Sequence, residues 1–173
     1  MSTRRNTRPI ITLICVALGV VVLDQLTKAW AVAQLRPRLF PGGEGPIEII
    51  GSLLRLTYTE NTGAAFSMGN GFTWVFSIVA LVVVIVIIRS ARELGSVLWA
   101  IALGGLLGGA LGNLIDRLTR EPGFGQGYVV DFIQLPNFPV FNVADMSLTL
   151  SAVLMVVLAL KGVDYRGAAA GSP

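Results

Sequence analysis

Histidine is absent from this 173-residue chain, and cysteine occurs once, at Cys15. Without imidazole there is no Ser-His or Cys-His nucleophile system and no usual zinc ligand set. A lone thiol excludes a disulfide or a cysteine-ligated metal site within one chain, so neither a metal nor another cofactor is expected. Charge is scarce as well. Asp, Glu, Lys and Arg make up 13% of the residues, against roughly 25% in an average soluble domain. The net charge is only +3, and no basic run exceeds Arg4-Arg5, which argues against nucleic acid as a partner. There is no internal repeat.

What the chain has in abundance is apolar sequence, 54% of it, gathered into four long segments. They cover about 10–33, 72–88, 97–115 and 140–160, each close to the ~20 residues that cross a bilayer as a helix. The fold class expected is therefore membrane all-α, with four transmembrane helices in one integral membrane domain. The third span carries Gly104, Gly105, Gly108, Gly109 and Gly112, and small residues at such spacing let helix backbones approach closely. Two loops remain, 36–71 and 119–139. The first contains the β-branched and aromatic stretch from Ile47 to Thr59, after a turn marked by Gly42, Gly43, Gly45 and Pro46. The second contains Tyr128 to Leu135. Both read as strands, so a small extracytoplasmic β element is expected. The tail 162–173 is small and polar and reads as disordered. No feature marks an oligomer interface, and a monomer is expected.

Two readings of the first span compete. Its basic start, apolar core and Ala31-Val32-Ala33 before Gln34 resemble a cleavable leader. Asp24 and Lys28 within or just after that core, and a length sufficient to span, favour a retained helix. Arginines at positions 4, 5 and 8 and the short turn after Arg89 place the termini on the cytoplasmic side.

Acidic residues interrupt the spans at few places, and a charge in hydrocarbon marks a functional site by default. Asp24 and Lys28 share a helical face late in span one. Asn113, Asp116 and Arg117 do so at the end of span three, where Arg117 could fork onto a carboxylate. Asn142 and Asp145 open span four. Parity puts all of these at one level of one membrane face. Each has a plain structural reading: an ion pair for Asp24–Lys28, an anchored helix end for Asp116 and Arg117, an N-cap with a first-turn acid for Asn142 and Asp145. Asp131, between Val130 and Phe132, reads as a solvent-facing residue of an alternating strand. With Val140 near the surface, Asp145 lies ~8 Å down the fourth helix. Two carboxyls sharing a site split their pKa values, which provides an acid and a base for amide hydrolysis. Spacing alone does not choose Asp131–Asp145 over Asp116–Asp145 or Asp24–Asp145. A proton-coupled transporter, a peptidase pairing Lys28 with Ser52, Ser67 or Ser147, and a non-enzymatic scaffold are the alternatives.

Five short motifs add a further reading. Asp24-Gln25-Leu26-Thr27-Lys28, Asn61-Thr62-Gly63-Ala64-Ala65-Phe66, Gly112-Asn113-Leu114-Ile115-Asp116-Arg117, Val130-Asp131-Phe132 and Phe141-Asn142-Val143-Ala144-Asp145 together resemble lipoprotein signal peptidase (signal peptidase II), in the same order. Each is weak alone; five in order are specific. The resemblance implies an aspartyl endopeptidase of the bacterial cytoplasmic membrane, multi-pass, with its active site at the outer face. It implies removal of the signal peptide of a prolipoprotein before a diacylglyceryl cysteine, with membrane lipid as surroundings. By the same resemblance Asp131 and Asp145 are catalytic. Asp24, Lys28, Asn61, Gly63, Asn113, Asp116, Arg117 and Asn142 bind substrate or support the site. Met146 departs from the small residue expected beside Asp145. Cys15 follows Ile14, so the chain carries no lipobox of its own.

Overall fold

The four apolar runs fold into four helices in the computed structural model, which describes residues 7–63 and 73–167. They are α1 (Arg8–Gln34), α2 (Thr73–Ser90), α3 (Val97–Thr119) and α4 (Val143–Leu160), each long and apolar enough to cross a bilayer. Pro9 falls in the first turn of α1, where its missing N–H costs nothing. Ser96 caps α3 by accepting from the Trp99 N–H.

Helix α3 is the centre of the bundle. Of its apolar stretch 61% is buried, against 17% in each of the other three. Those three turn Ile11, Leu18, Ile78, Val82, Leu150 and Val153 outward, the arrangement expected when the surroundings are hydrocarbon. Close contact is possible because α3 has two glycine seams. A Cβ at Gly104 would lie 2.7 Å from the Leu13 carbonyl oxygen and one at Gly108 2.8 Å from that of Ala17, both on α1. A Cβ at Gly109 would lie 2.6 Å from the Ala144 carbonyl oxygen on α4. In a membrane, such backbone-to-backbone packing supplies the association that water would otherwise drive. Leu13, Ala17, Val84, Ile87, Leu103 and Leu107 fill the space between the helices.

The loops build one antiparallel sheet in the order β1 (Ile47–Ile50), β2 (Leu54–Asn61), β3 (Val129–Gln134). Gly51, at φ 48°, makes the turn between the first two. Thr59 pairs with Asp131 and Asn61 with Val129, so Asn61 and Asp131 are diagonal neighbours on one face. Val130 and Phe132 pack with Ala31 and Leu35 at the end of α1, which seats the sheet on the helices. After β3 the chain turns through Asn137 and returns, and Phe141 bridges Ile133.

Several boundaries differ from the sequence reading. Helix α3 runs to Thr119 because Arg120 pairs with Asp116 one turn back and the Thr119 hydroxyl donates to the Ile115 carbonyl. Asp116 and Arg117 are therefore inside the helix rather than at its end. Helix α4 starts at Val143, since Phe141 is held by β3 and Asn142 is the cap. Asp145 is thus in the first turn, ~4.5 Å along the helix rather than ~8 Å. The segment 162–167, read as part of a disordered tail, folds back on the α2–α3 turn. There Tyr165 stacks edge-on with Trp99 and its hydroxyl donates to the Ser90 carbonyl. Phe72, Ala64, Ala65, Phe66 and residues 168–173 lie outside the described residues.

Candidate active site

One chain of hydrogen bonds links α1, α3, β3 and α4 at a single level. It starts from Lys28, which is fully buried. Its ammonium is 2.9 Å from Asp24 Oδ2, 3.1 Å from Asp116 Oδ2, and donates to Asn113 Oδ1 at 2.9 Å. All three donors are spent. The carboxylates it neutralises are tied further. Asp24 Oδ1 accepts from the Ala144 N–H, which docks the start of α4 onto α1. Asp116 Oδ2 accepts from the Val130 N–H, which docks β3 onto α3, and Asp116 Oδ1 accepts from Arg120 Nε at 2.9 Å. Gln25 Nε2 donates to the Gly112 carbonyl and to Asp24. This cluster is the keystone between the bundle and the sheet.

Because Lys28 occupies Asn113 Oδ1, the Asn113 amide must turn its Nδ2 elsewhere, and it donates to Asp145 Oδ1 at 2.8 Å. Asn142 is constrained in the same way. Its Oδ1 accepts from the Asp145 N–H at 3.0 Å while Asp145 Oδ2 accepts from the Asn142 N–H at 3.1 Å, a reciprocal capping box. Its Nδ2 is left to donate to Asp131 Oδ1 at 2.6 Å and to Asn113 Oδ1 at 3.2 Å. The plain N-cap reading of Asn142 is therefore correct but partial, since the same side chain bridges the two aspartates. Asn61 Nδ2 holds the other Asp131 oxygen at 2.8 Å, and its Oδ1 accepts from the Gly63 N–H.

The four aspartates thus fall into two kinds. Asp24 and Asp116 share a cation. Asp131 and Asp145 form no ion pair among the described residues; amides alone hold them. Asp131 is only 1% exposed, so it is not the solvent-facing strand residue that alternation suggests; β3 is covered on both faces in this region. Burial pushes its carboxyl from 3.8 up to about 6, with the nearby Asp145 charge adding to the rise and the amides of Asn61 and Asn142 opposing it. Asp145 and Asn113 are partly exposed. A cleft of about 300 Å³ lined by Asn61, Thr62, Asp131, Pro139 and Val140 opens onto Asp131.

Arg117 is nine-tenths buried and stacks on Phe76 of α2, its guanidinium carbon 5.5 Å from the ring centre. It does not fork onto a carboxylate as its spacing suggested. Gly63, with φ 84°, lies against the same ring. Met146 turns outward and is 43% exposed, so its size has no consequence at the site. Lys28 is unavailable to a serine: Ser147 donates to the Gly105 carbonyl, Ser52 is exposed on the β1–β2 turn, and Ser67 lies outside the described residues. Sequence reading passed over Arg120 and Phe76. The four-residue spacing from Asp116 could have flagged Arg120; nothing in the sequence marks Phe76 among the many apolar residues of α2.

Comparison with known proteins places the chain in a family. The sequence model of the family described as signal peptidase (SPase) II matches residues 16–161. The lipoprotein signal peptidase of Streptomyces coelicolor is 47% identical over 163 residues, covering 94% of this chain and 77% of that protein. That of Leifsonia xyli is 44% identical over 167 residues, covering 95% and 74%. A solved structure described as a bacterial membrane enzyme superposes with a TM-score of 0.75 at 32% identity, over 88% of this chain and 94% of that one. A family match across most of the chain, with relatives 44–47% identical over more than nine-tenths of it, means that this protein belongs to the signal peptidase II family.

Proposed function

We propose that this chain is the aspartyl endopeptidase that removes the signal peptide from prolipoproteins, cutting just before a cysteine that carries diacylglycerol. Asp131 and Asp145 are its catalytic pair. The observation that carries this reading is the division of the aspartates: Lys28 neutralises Asp24 and Asp116, while Asp131 and Asp145 are each held by amide donors and, among the described residues, by no ion pair. A carboxyl pushed up to about 6 beside a second carboxylate suits a pair that shares one proton.

The chemistry then follows. The ionised carboxylate takes a proton from water as the water oxygen bonds to the scissile carbonyl carbon. The protonated carboxyl gives its proton to the carbonyl oxygen, forming a gem-diol. On collapse the carbon–nitrogen bond breaks and the amine of the lipidated cysteine takes the proton first removed from water. A gem-diol hydroxyl returns its proton to the other carboxylate, so the pair again holds one. Asn113, Asn142 and Asn61 keep the carboxyls in register, Asn61 and Gly63 border the substrate cleft, and the keystone of Asp24, Lys28 and Asp116 holds that frame. Arg117 offers a guanidinium donor to the substrate backbone.

The setting is the bacterial cytoplasmic membrane, with the site at its outer rim and both chain ends on the cytoplasmic side. Arg8, Arg89, Arg92, Lys161 and Arg166 all lie at the end of the bundle away from the site, in keeping with the positive-inside bias. Asp145 in the first turn of α4 lies at the depth where a lipidated cysteine keeps its peptide bond. The enzyme acts as a monomer with its cleft open to lipid. To test the specificity, the purified protein in detergent is given a prolipoprotein with and without diacylglycerol and the products are weighed by mass spectrometry. Cleavage before the cysteine of the lipidated form alone is expected. Equal cleavage of both forms, or a cut elsewhere, defeats the proposal.

A further inference from the structure

Arg117 presents a problem that the keystone and the amide frame leave open. Its charge is coupled to those of Asp131, Asp145 and Asp116, yet it pairs with none of them. Among the described residues its Nη1 makes only a long contact, 3.5 Å, to the Asn113 carbonyl, and its Nε is buried with no acceptor. A buried guanidinium beside two carboxylates ordinarily forks onto one of them. Here the guanidinium carbon lies over the ring of Phe76 instead.

The ring is itself confined. At Gly63 an added Cβ would overlap Phe76 Cε2 and lie 2.9 Å from its Cδ2, so the backbone at the end of β2 backs the ring. The Thr73 hydroxyl, one turn before Phe76, donates to the Thr62 carbonyl and ties the start of α2 to the same strand end. Gly63, Phe76 and Arg117 therefore make a stack running from the cleft rim to the aspartates.

Resting on the aspartyl-peptidase reading above, we propose that Phe76 is a positioning residue: its ring holds the Arg117 guanidinium beside Asp131 and Asp145 without letting it pair with either, which keeps a donor unspent for the scissile carbonyl oxygen. A guanidinium locked onto one carboxylate would fix that group as ionised and remove the shared proton. It would also consume the donor that polarises the scissile carbonyl as water attacks.

The test uses the full-length protein in detergent and the lipidated prolipoprotein. Phe76→Leu keeps an apolar side chain but removes the π face; Phe76→Tyr and Phe76→Trp keep it. Phe76→Leu is expected to lower kcat by ~10- to 100-fold, the scale of a misplaced group at a reacting centre, with a melting temperature matching that of Phe76→Tyr. Phe76→Tyr and Phe76→Trp are expected to retain most of the activity. In an Arg117→Lys background, which lacks the planar fork, Phe76→Leu should cause little further loss, because both changes remove one arrangement. Should Phe76→Leu fail to fold, Phe76→Met, which also lacks the π face, takes its place in each comparison. Undiminished kcat in the π-less variant, an equal loss in the tyrosine variant, or full additivity with Arg117→Lys overturns the inference. Full activity in Asp131→Asn instead overturns the peptidase reading beneath it, so the two failures are distinct.

Discussion

Replacing Lys28 with methionine probes the keystone. The side chain is close in length and wholly apolar, so packing is largely kept while the ammonium is lost. What remains is two fully buried carboxylates, Asp24 and Asp116, that shared it at 2.9 and 3.1 Å. Removing one partner of a buried ion pair costs about 3–5 kcal/mol, because the other charge is left uncompensated. Here the lower end is expected. Asp116 keeps Arg120 and the Val130 N–H, and Asp24 keeps Gln25 and the Ala144 N–H. At 2–4 °C per kcal/mol for a chain of this size, ~3 kcal/mol lowers the melting temperature by roughly 6–12 °C. Heating in detergent, followed by the fluorescence of Trp30, Trp74 and Trp99, measures it. The double variant Lys28→Met with Asp24→Asn removes one stranded charge and should recover part of the loss. A melting temperature unchanged by Lys28→Met, or a double variant no better than the single, refutes the assignment of these residues as one charge-balanced unit.

The elevated Asp131 carboxyl links stability to pH. A folded-state value raised from 3.8 to about 6 stabilises the fold below pH ~4, and this contribution is lost as pH rises through ~6, up to about 3 kcal/mol for a two-unit shift. Melting temperatures of the native protein and Asp131→Asn should therefore diverge between pH 4 and 7, the native protein losing ground; parallel curves would remove the raised carboxyl from the account. The glycine seams make a paired prediction. Gly109→Ala puts a Cβ 2.6 Å from the Ala144 carbonyl oxygen and should cost about 1–3 kcal/mol. Gly19→Ala on α1 meets nothing within 4 Å and should be neutral or stabilising by ~0.5–1 kcal/mol. Equal effects at the two positions would mean that α3 does not pack as described.

How far the sequence could be read depended on the range of the interactions. Helices α1 to α4 were legible because each is a long apolar run whose length is set by the bilayer, and the strands because their β-branched residues lie between glycine and proline turns. Lys28 with Asp24 and Asn142 with Asp145 were legible for a similar reason, since both pairs are fixed by helical spacing. Their sharper roles were not. That Asn113 turns its Nδ2 toward Asp145 depends on Lys28, 85 residues away, and the buried face of Asp131 depends on β2 and α4 closing over it. The reach of α3 past Asp116 and the later start of α4 were set by Arg120 and by the Phe141–Ile133 bridge, neither of which is a property of helical apolarity. Phe76 was invisible, because the guanidinium it holds belongs to another helix.

The central claim is that Asp131 and Asp145 work as a pair with one proton between them. Its most direct test is turnover of the lipidated prolipoprotein by Asp131→Asn and by Asp145→Asn, each verified as folded by its melting transition. Each change removes an acid–base group, so each alone should cost at least ~10²-fold in kcat. The double variant should be scarcely worse than either single, since the residues act as one unit. Near-native turnover in either folded single variant would contradict the account.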